Sequence, residues 1–175
     1  MTATDQPTLP LRRSLTALGL CLAVTGVAAA AAALASASSG SFYAQLDRPV
    51  WSPPAWLFGP VWSALYLMMA VAAWRVWRIT RSLATRRLAL GLYGGQLVLN
   101  ALWTWLFFEW RLGGLAFVEI MILFALVCAT TGQFFRCNRL SGLLLLPYAG
   151  WVGFAAALSL ACWQANPDLL GGPLY

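Results

Sequence analysis

Tryptophan is the residue type with the most chemistry to offer in this chain. Ten are spread over 175 residues. An indole supplies a broad apolar face for stacking and a single N–H donor. Trp74, Trp77, Trp110 and Trp163 fall near the ends of apolar runs, where an interfacial aromatic belt accounts for them. Trp62, Trp103 and Trp151 fall well inside such runs. At helical spacing Trp62 shares a face with Tyr66 and Met69, Trp103 with Asn100 and Phe107, and Trp151 with Ala155 and Ser159. Converging faces of this kind would line a pocket for a bulky, mostly apolar ligand. Faces that do not converge would be ordinary helix packing.

Other chemistries are narrowed by what the sequence lacks. It has no histidine, so Ser–His and Cys–His nucleophiles are excluded. Cys21, Cys128, Cys137 and Cys162 include no C-x-x-C pair, and no metal site is predicted. Gln96 and Asn100 lie one turn apart inside an apolar segment. Glu119 lies inside another, and an ionisable group at membrane depth is costly unless partnered, which makes it a functional candidate. Its structural alternative is snorkelling, or pairing with Arg111 or Arg48. One such carboxylate makes a poor proton relay.

The elements that must position these side chains follow from composition. Apolar residues make up 61% and charged residues 9%, against about 25% charged in a soluble domain. A water-soluble fold of this size could not bury that apolar surface, so the bilayer is the expected solvent. About 20 apolar residues cross a hydrocarbon core. Five segments qualify: Ser14 to Ala37, the stretch from Pro53-Pro54 to Trp77, Leu88 to Phe108, Leu112 to Phe135, and Ser141 to Gln164. The fold class is therefore an all-α, five-transmembrane-helix bundle. Short links predict antiparallel neighbours among helices two to five. Residues 1–13 are expected to be a flexible tail, 14–166 a single membrane domain, and 167–175 a short outer tail.

All eleven basic residues are arginine, and the net charge is +6. They sit at the ends of apolar runs, which is a topology signal rather than a nucleic-acid stripe. Arg12, Arg13, Arg75, Arg78, Arg81, Arg86, Arg87, Arg136 and Arg139 fall on one side, and only Arg48 and Arg111 on the other. The positive-inside rule then places the N-terminus in the cytoplasm and the C-terminus outside a cell membrane. A secretory or twin-arginine signal is the rival reading of the first segment, which is long for a signal core. Gly91 and Gly95 form a G-x-x-x-G, a candidate homodimer face.

The link from Ser38 to Pro54 is dense in aromatics and prolines and poor in charge. Arg48, Pro49, Pro53 and Pro54 fit a structured loop that lids the mouth of the bundle, with Pro53-Pro54 opening the second helix. Tyr43 and Trp51 are its candidate ligand-facing aromatics. The alternative is an interfacial belt.

The run L-D-R-P-V-W-S-P-P-A-W-L-F-G-P-V-W-S-A-L-Y resembles the first loop and second helix of the TspO family, the tryptophan-rich sensory proteins related to the mitochondrial translocator protein, or peripheral benzodiazepine receptor. Q-L-V-L-N-A-L-W-T-W-L-F-F is similar to that family's third helix, and P-Y-A-G-W-V-G-F-A-A-A-L-S to its fifth, closed by W-Q-A-N. The resemblance spans Leu46 to Asn166 and makes this a bacterial member. It implies a five-helix bundle, often dimeric, whose first loop lids a pocket for porphyrins such as protoporphyrin IX and haem. It implies no required cofactor. By motif match, Trp62 and Trp151 are implicated in porphyrin binding and in a light- and oxygen-dependent breakdown of protoporphyrin. Asn100, Ala155 and Ser159 match pocket-lining positions, and Glu119 an acidic position in helix four. Ser159 stands where the family often has asparagine. Leu160 and Gln164 stand where a cholesterol motif needs tyrosine and a basic residue, so no cholesterol site is expected.

The resemblance leads to a receptor or sensor that binds tetrapyrroles and regulates porphyrin metabolism. Its alternatives are a protoporphyrin-degrading enzyme and a porphyrin or lipid transporter. Arg48 is placed to pair with a propionate. Without histidine, haem iron lacks its usual axial ligand, so binding should depend weakly on the metal.

Overall fold

The computed structural model describes residues 11–37 and 39–171, and these are helical with no strand. Helix α1 runs Leu11–Ala35, α2 Ser39–Gln45, α3 Phe58–Ile79, α4 Leu83–Thr104, α5 Gly113–Cys137, α6 Arg139–Ala165 and α7 Pro167–Leu170. A 3-10 turn over Ala55–Leu57 leads into α3, and a π-helical turn over Trp105–Glu109 follows α4. Leu11 to Arg13 belong to α1, so only the first ten residues of the expected N-terminal tail lie outside the described part. Residues 172–175 of the expected outer tail also lie outside it, and Pro167–Leu170 form α7.

Local chemistry sets these boundaries. The side chain of Ser82 caps α4 by accepting from the Thr85 N–H at 3.3 Å. Asn138 ends α5 and opens α6: its N–H reaches the Phe134 carbonyl, and its Oδ1 accepts from the Ser141 N–H at 3.2 Å. Pro54 precedes the 3-10 turn, where a missing N–H costs nothing. At the far end of α4 the π turn carries the chain to Arg111, whose φ of 56° makes the reversal into α5. Pro147 lies within α6. It removes one helical N–H there, a loss that transmembrane bundles tolerate.

Four helical stretches are long and apolar enough to span a bilayer: Leu11–Ala35, Ala55–Ile79, Gly113–Cys137 and Arg139–Ala165. Helix α4 matches the predicted third segment and is 22 residues long, but it is more polar, with Arg86, Arg87, Gln96 and Asn100 along it. The first link is partly helical rather than a loop throughout. Phe42 and Tyr43 of α2 are buried, and Phe42 sits edge-on to Phe107 and Phe108 at ring separations of 6.5 and 6.4 Å. That apolar contact anchors a helix too short to persist alone.

The helices close a ring. Helix α1 packs on α3, α3 on α6, α6 on α5, α5 on α4, and α4 back on α1. Helices α5 and α6 share the most extensive contact, whereas α3 and α4 touch only lightly despite their three-residue link. The short-link expectation therefore holds for α4–α5 and α5–α6 but not for α3–α4. One end of the ring is fixed by cross-links: the Trp74 indole donates to the Ser14 carbonyl at 2.9 Å, Arg75 to Asn138 Oδ1 at 3.3 Å, and Arg86 to the Trp77 carbonyl at 3.4 Å.

Candidate ligand-binding cavity

The ring encloses a cavity of about 430 Å³, within the range of small-molecule sites. Each wall has a distinct character. Helix α1 contributes a smooth face of Ala29, Ala32 and Ala33, continued by Ser36 just beyond its end. Helix α3 contributes Phe58, Gly59, Trp62, Ser63 and Tyr66, a stripe at helical spacing. Trp103, Thr104 and Phe108 enter from α4 and the π turn, and Trp151 and Ala155 from α6. Tyr43, Ser39 and Gly40 of α2, with Ala55, line it from the first link. A smaller space of about 30 Å³ adjoins it and is lined by Phe107, Leu158, Ser159 and Cys162 together with walls of the larger one.

Six sequence candidates thus meet around one cavity: Tyr43, Trp62, Tyr66, Trp103, Trp151 and Ala155. Their rings hold one another. Trp62 lies 5.5 Å from Tyr66, Phe58 sits edge-on to Trp151 at 5.8 Å, and Trp103 stacks on Phe107 at 5.4 Å. Ser159 faces the smaller space. Asn100 stands behind the wall, accepting from the Tyr66 hydroxyl at 2.6 Å. Two candidates lie apart. Trp51 is half-exposed and packs edge-on to Phe154 at 5.7 Å. Glu119 is buried within α5 outside the cavity lining, and neither carboxyl oxygen has a hydrogen-bond partner, so it pairs with neither Arg48 nor Arg111. Sequence reasoning missed the α1 face, Phe58 and Ser63 of α3, Thr104 and Phe108, and Ser39, Gly40 and Ala55 of the first link. An alanine-rich run has no residue type to mark it, and only the ring closure turns it inward.

The lid-loop residues are tied down locally. The Tyr43 hydroxyl donates to the Pro53 carbonyl at 3.1 Å, and the Arg48 guanidinium lies 4.4 Å from the centre of the Tyr43 ring. The Ser52 N–H donates to the Pro49 carbonyl at 2.9 Å, and the Leu57 N–H to the Pro54 carbonyl at 3.0 Å.

The cavity wall is mainly aromatic and aliphatic, with a few hydroxyls. The indole nitrogens of Trp103 and Trp151 are buried without a partner, and so is the Ser159 hydroxyl. Buried donors usually find acceptors, and these three, set behind the lining surface, have none. Broad indole faces such as these can stack a flat ring system. None of the lining residues of either space is an acid or a base that could transfer a proton at neutral pH.

Comparison with known proteins gives a consistent result. The family model described as the TspO/MBR family matches residues 17–164. The chain is 36% identical over 132 residues to the translocator protein of Homo sapiens, covering 75% of this chain and 78% of that one. It is 39% identical over 131 residues to the protein CrtK of Rhodobacter capsulatus, covering 74% and 81%. It is 36% identical over 150 residues to the tryptophan-rich protein TspO of Chlorobaculum tepidum, covering 86% and 93%.

Proposed function

The chain belongs to the TspO/MBR family, and from that premise we propose that it is a membrane receptor whose aromatic cavity binds tetrapyrroles such as protoporphyrin IX and haem, with the first link as its lid. One observation carries this reading: Trp62, Trp103 and Trp151, from three different helices, line a single cavity. A macrocycle stacked between them gains roughly 0.5–1.5 kcal/mol per aromatic pair beyond area burial. Its carboxylates lie toward the link, where Arg48 is the cation. In this reading α4 crosses the bilayer as the fifth span, the nine-arginine end faces the cytoplasm, and a second copy packs along α4, where Gly91 is exposed. Gly95 is less free for that role, because a Cβ there would lie 3.4 Å from Leu126 of α5.

The test is a titration of protoporphyrin IX into detergent-purified protein, following tryptophan fluorescence in the native chain and in Trp151→Phe. Saturable one-site quenching that weakens in the variant supports the cavity. Quenching that never saturates in either protein means partitioning into detergent and rejects the proposal.

A second reading shares the site. Trp62 and Trp151 both line the cavity, so an excited porphyrin there has redox-active neighbours while dioxygen accepts its electrons. Replacing both by phenylalanine should keep binding and abolish light-dependent bleaching. Bleaching at the native rate in the double variant rules this out.

A further inference from the structure

Between α2 and the 3-10 turn the first link runs largely over the surface. Val50 is fully exposed and Trp51 half-exposed, and Trp56 within the turn is 71% exposed. The Tyr43–Pro53 bond joins the link to itself, not to the bundle. A separate attachment lies at Asp47. Its N–H donates to Asn166 Oδ1 at 2.7 Å, and its carbonyl accepts from Asn166 Nδ2 at 2.9 Å. One side-chain amide thus pairs with both backbone groups of one residue, as a neighbouring strand would. Nδ2 also donates to the Cys162 carbonyl at 2.8 Å. Asn166 is only 7% exposed and is itself pinned at the α6–α7 junction, where its carbonyl accepts from the N–H groups of Leu169 and Leu170 at 3.2 and 3.0 Å. The side chain of Asp47 is exposed.

We propose that Asn166 is a positioning residue: its amide clasps the backbone of Asp47, holds the first link over the cavity, and sets how long a ligand stays. The proposal rests on the reading that the cavity binds a ligand. Its physical basis is that the amide spends one donor and its acceptor on Asp47, 119 residues away in sequence, while its second donor is fixed on the Cys162 carbonyl one turn back. Further along the link, Trp51 rests edge-on against Phe154 of α6 without a hydrogen bond of the same kind among the described contacts. The first turn of the link (Leu46, buried, and Arg48, over Tyr43) follows wherever Asp47 is held. Opening the clasp frees the segment that connects α2 to Pro49, while the apolar walls on α3, α4 and α6 stay in place. The clasp therefore acts on access more than on affinity.

Asn166→Leu tests this, because it keeps the bulk of the side chain but removes the acceptor and both donors. Protoporphyrin IX on- and off-rates, measured by stopped-flow tryptophan quenching, should both rise about tenfold for the loss of the two hydrogen bonds to Asp47, with a much smaller change in Kd. Asp47→Ala, which spares the backbone contact, should match the native rates. Hydrogen exchange read at Asp47 in the unliganded native chain should show its amide slower than those of Val50 and Trp51, and it should quicken in Asn166→Leu. Native rates and native Asp47 exchange in Asn166→Leu overturn the proposal. So does an equal effect of Asp47→Ala. If the native chain shows no saturable porphyrin binding, the receptor reading fails and the clasp is decided by exchange. If Asn166→Leu does not fold, an Asp47 amide as fast as those of Val50 and Trp51 in the native chain overturns it.

Discussion

Ser159 and Asn100 show how the same kind of group serves different ends. The Ser159 hydroxyl is buried without a partner, which is a cost in the free protein. Ser159→Ala should therefore hold or raise the thermal midpoint in detergent while weakening porphyrin binding by quenching titration. A fall in both would mean the hydroxyl is structural. Asn100 is buried and accepts from Tyr66. Asn100→Ala leaves that hydroxyl without its partner and should cost about 1–3 kcal/mol, read as a lower unfolding midpoint. Tyr66→Phe in the Asn100→Ala background should restore part of the loss, since an apolar pair avoids the unmade bond. The identities of these residues were legible in the sequence, but the Tyr66–Asn100 bond joins α3 to α4 across 34 residues and was not.

At the scale of the element, the α5–α6 hairpin is the firmest part of the bundle. Asn138 caps both helices, and Gly142 lets the turn close, because a Cβ there would run into the ring of Phe135. Gly142→Ala should destabilise the protein by about 1–3 kcal/mol through overpacking, seen as a lower midpoint in thermal unfolding. Gly150 has open space around its position, so Gly150→Ala should leave the midpoint unchanged or raise it slightly. The helix positions were readable because 20-residue apolar runs have few alternatives in lipid. The short α2 was not readable. Seven residues carry too little periodicity, and the helix depends on Phe42 finding Phe107 and Phe108.

For the whole molecule, the cross-links Ser14–Trp74, Arg75–Asn138 and Trp77–Arg86 gather the start of α1, the end of α3, the start of α4 and the α5–α6 turn at one end. Nine of the eleven arginines are carried by or next to these segments. A five-span topology predicts that alkaline phosphatase fused after Arg111 is active and that a fusion after Asn138 is inactive. Equal activity at the two sites would show that α5 does not cross. A fusion in the α3–α4 link, near Arg81, should be inactive. Activity there together with activity after Arg111 would show that α4 stays on one side.

The sequence by itself determined the solvent, the helix positions, the charge asymmetry and the family, because each is written in local composition or in contiguous motifs. It also supplied the right faces for Trp62, Trp103 and Trp151, since helical spacing is local. Only the tertiary structure decided that α3 packs mainly on α1 and α6 and only lightly on α4, that the alanines of α1 form a cavity wall, and that Trp51 and Glu119 stand away from it. Those outcomes depend on how the long helices close a ring. Apolar helices look alike all round to their neighbours, so the order is set by side-chain fit and a few buried hydrogen bonds between residues far apart in the chain.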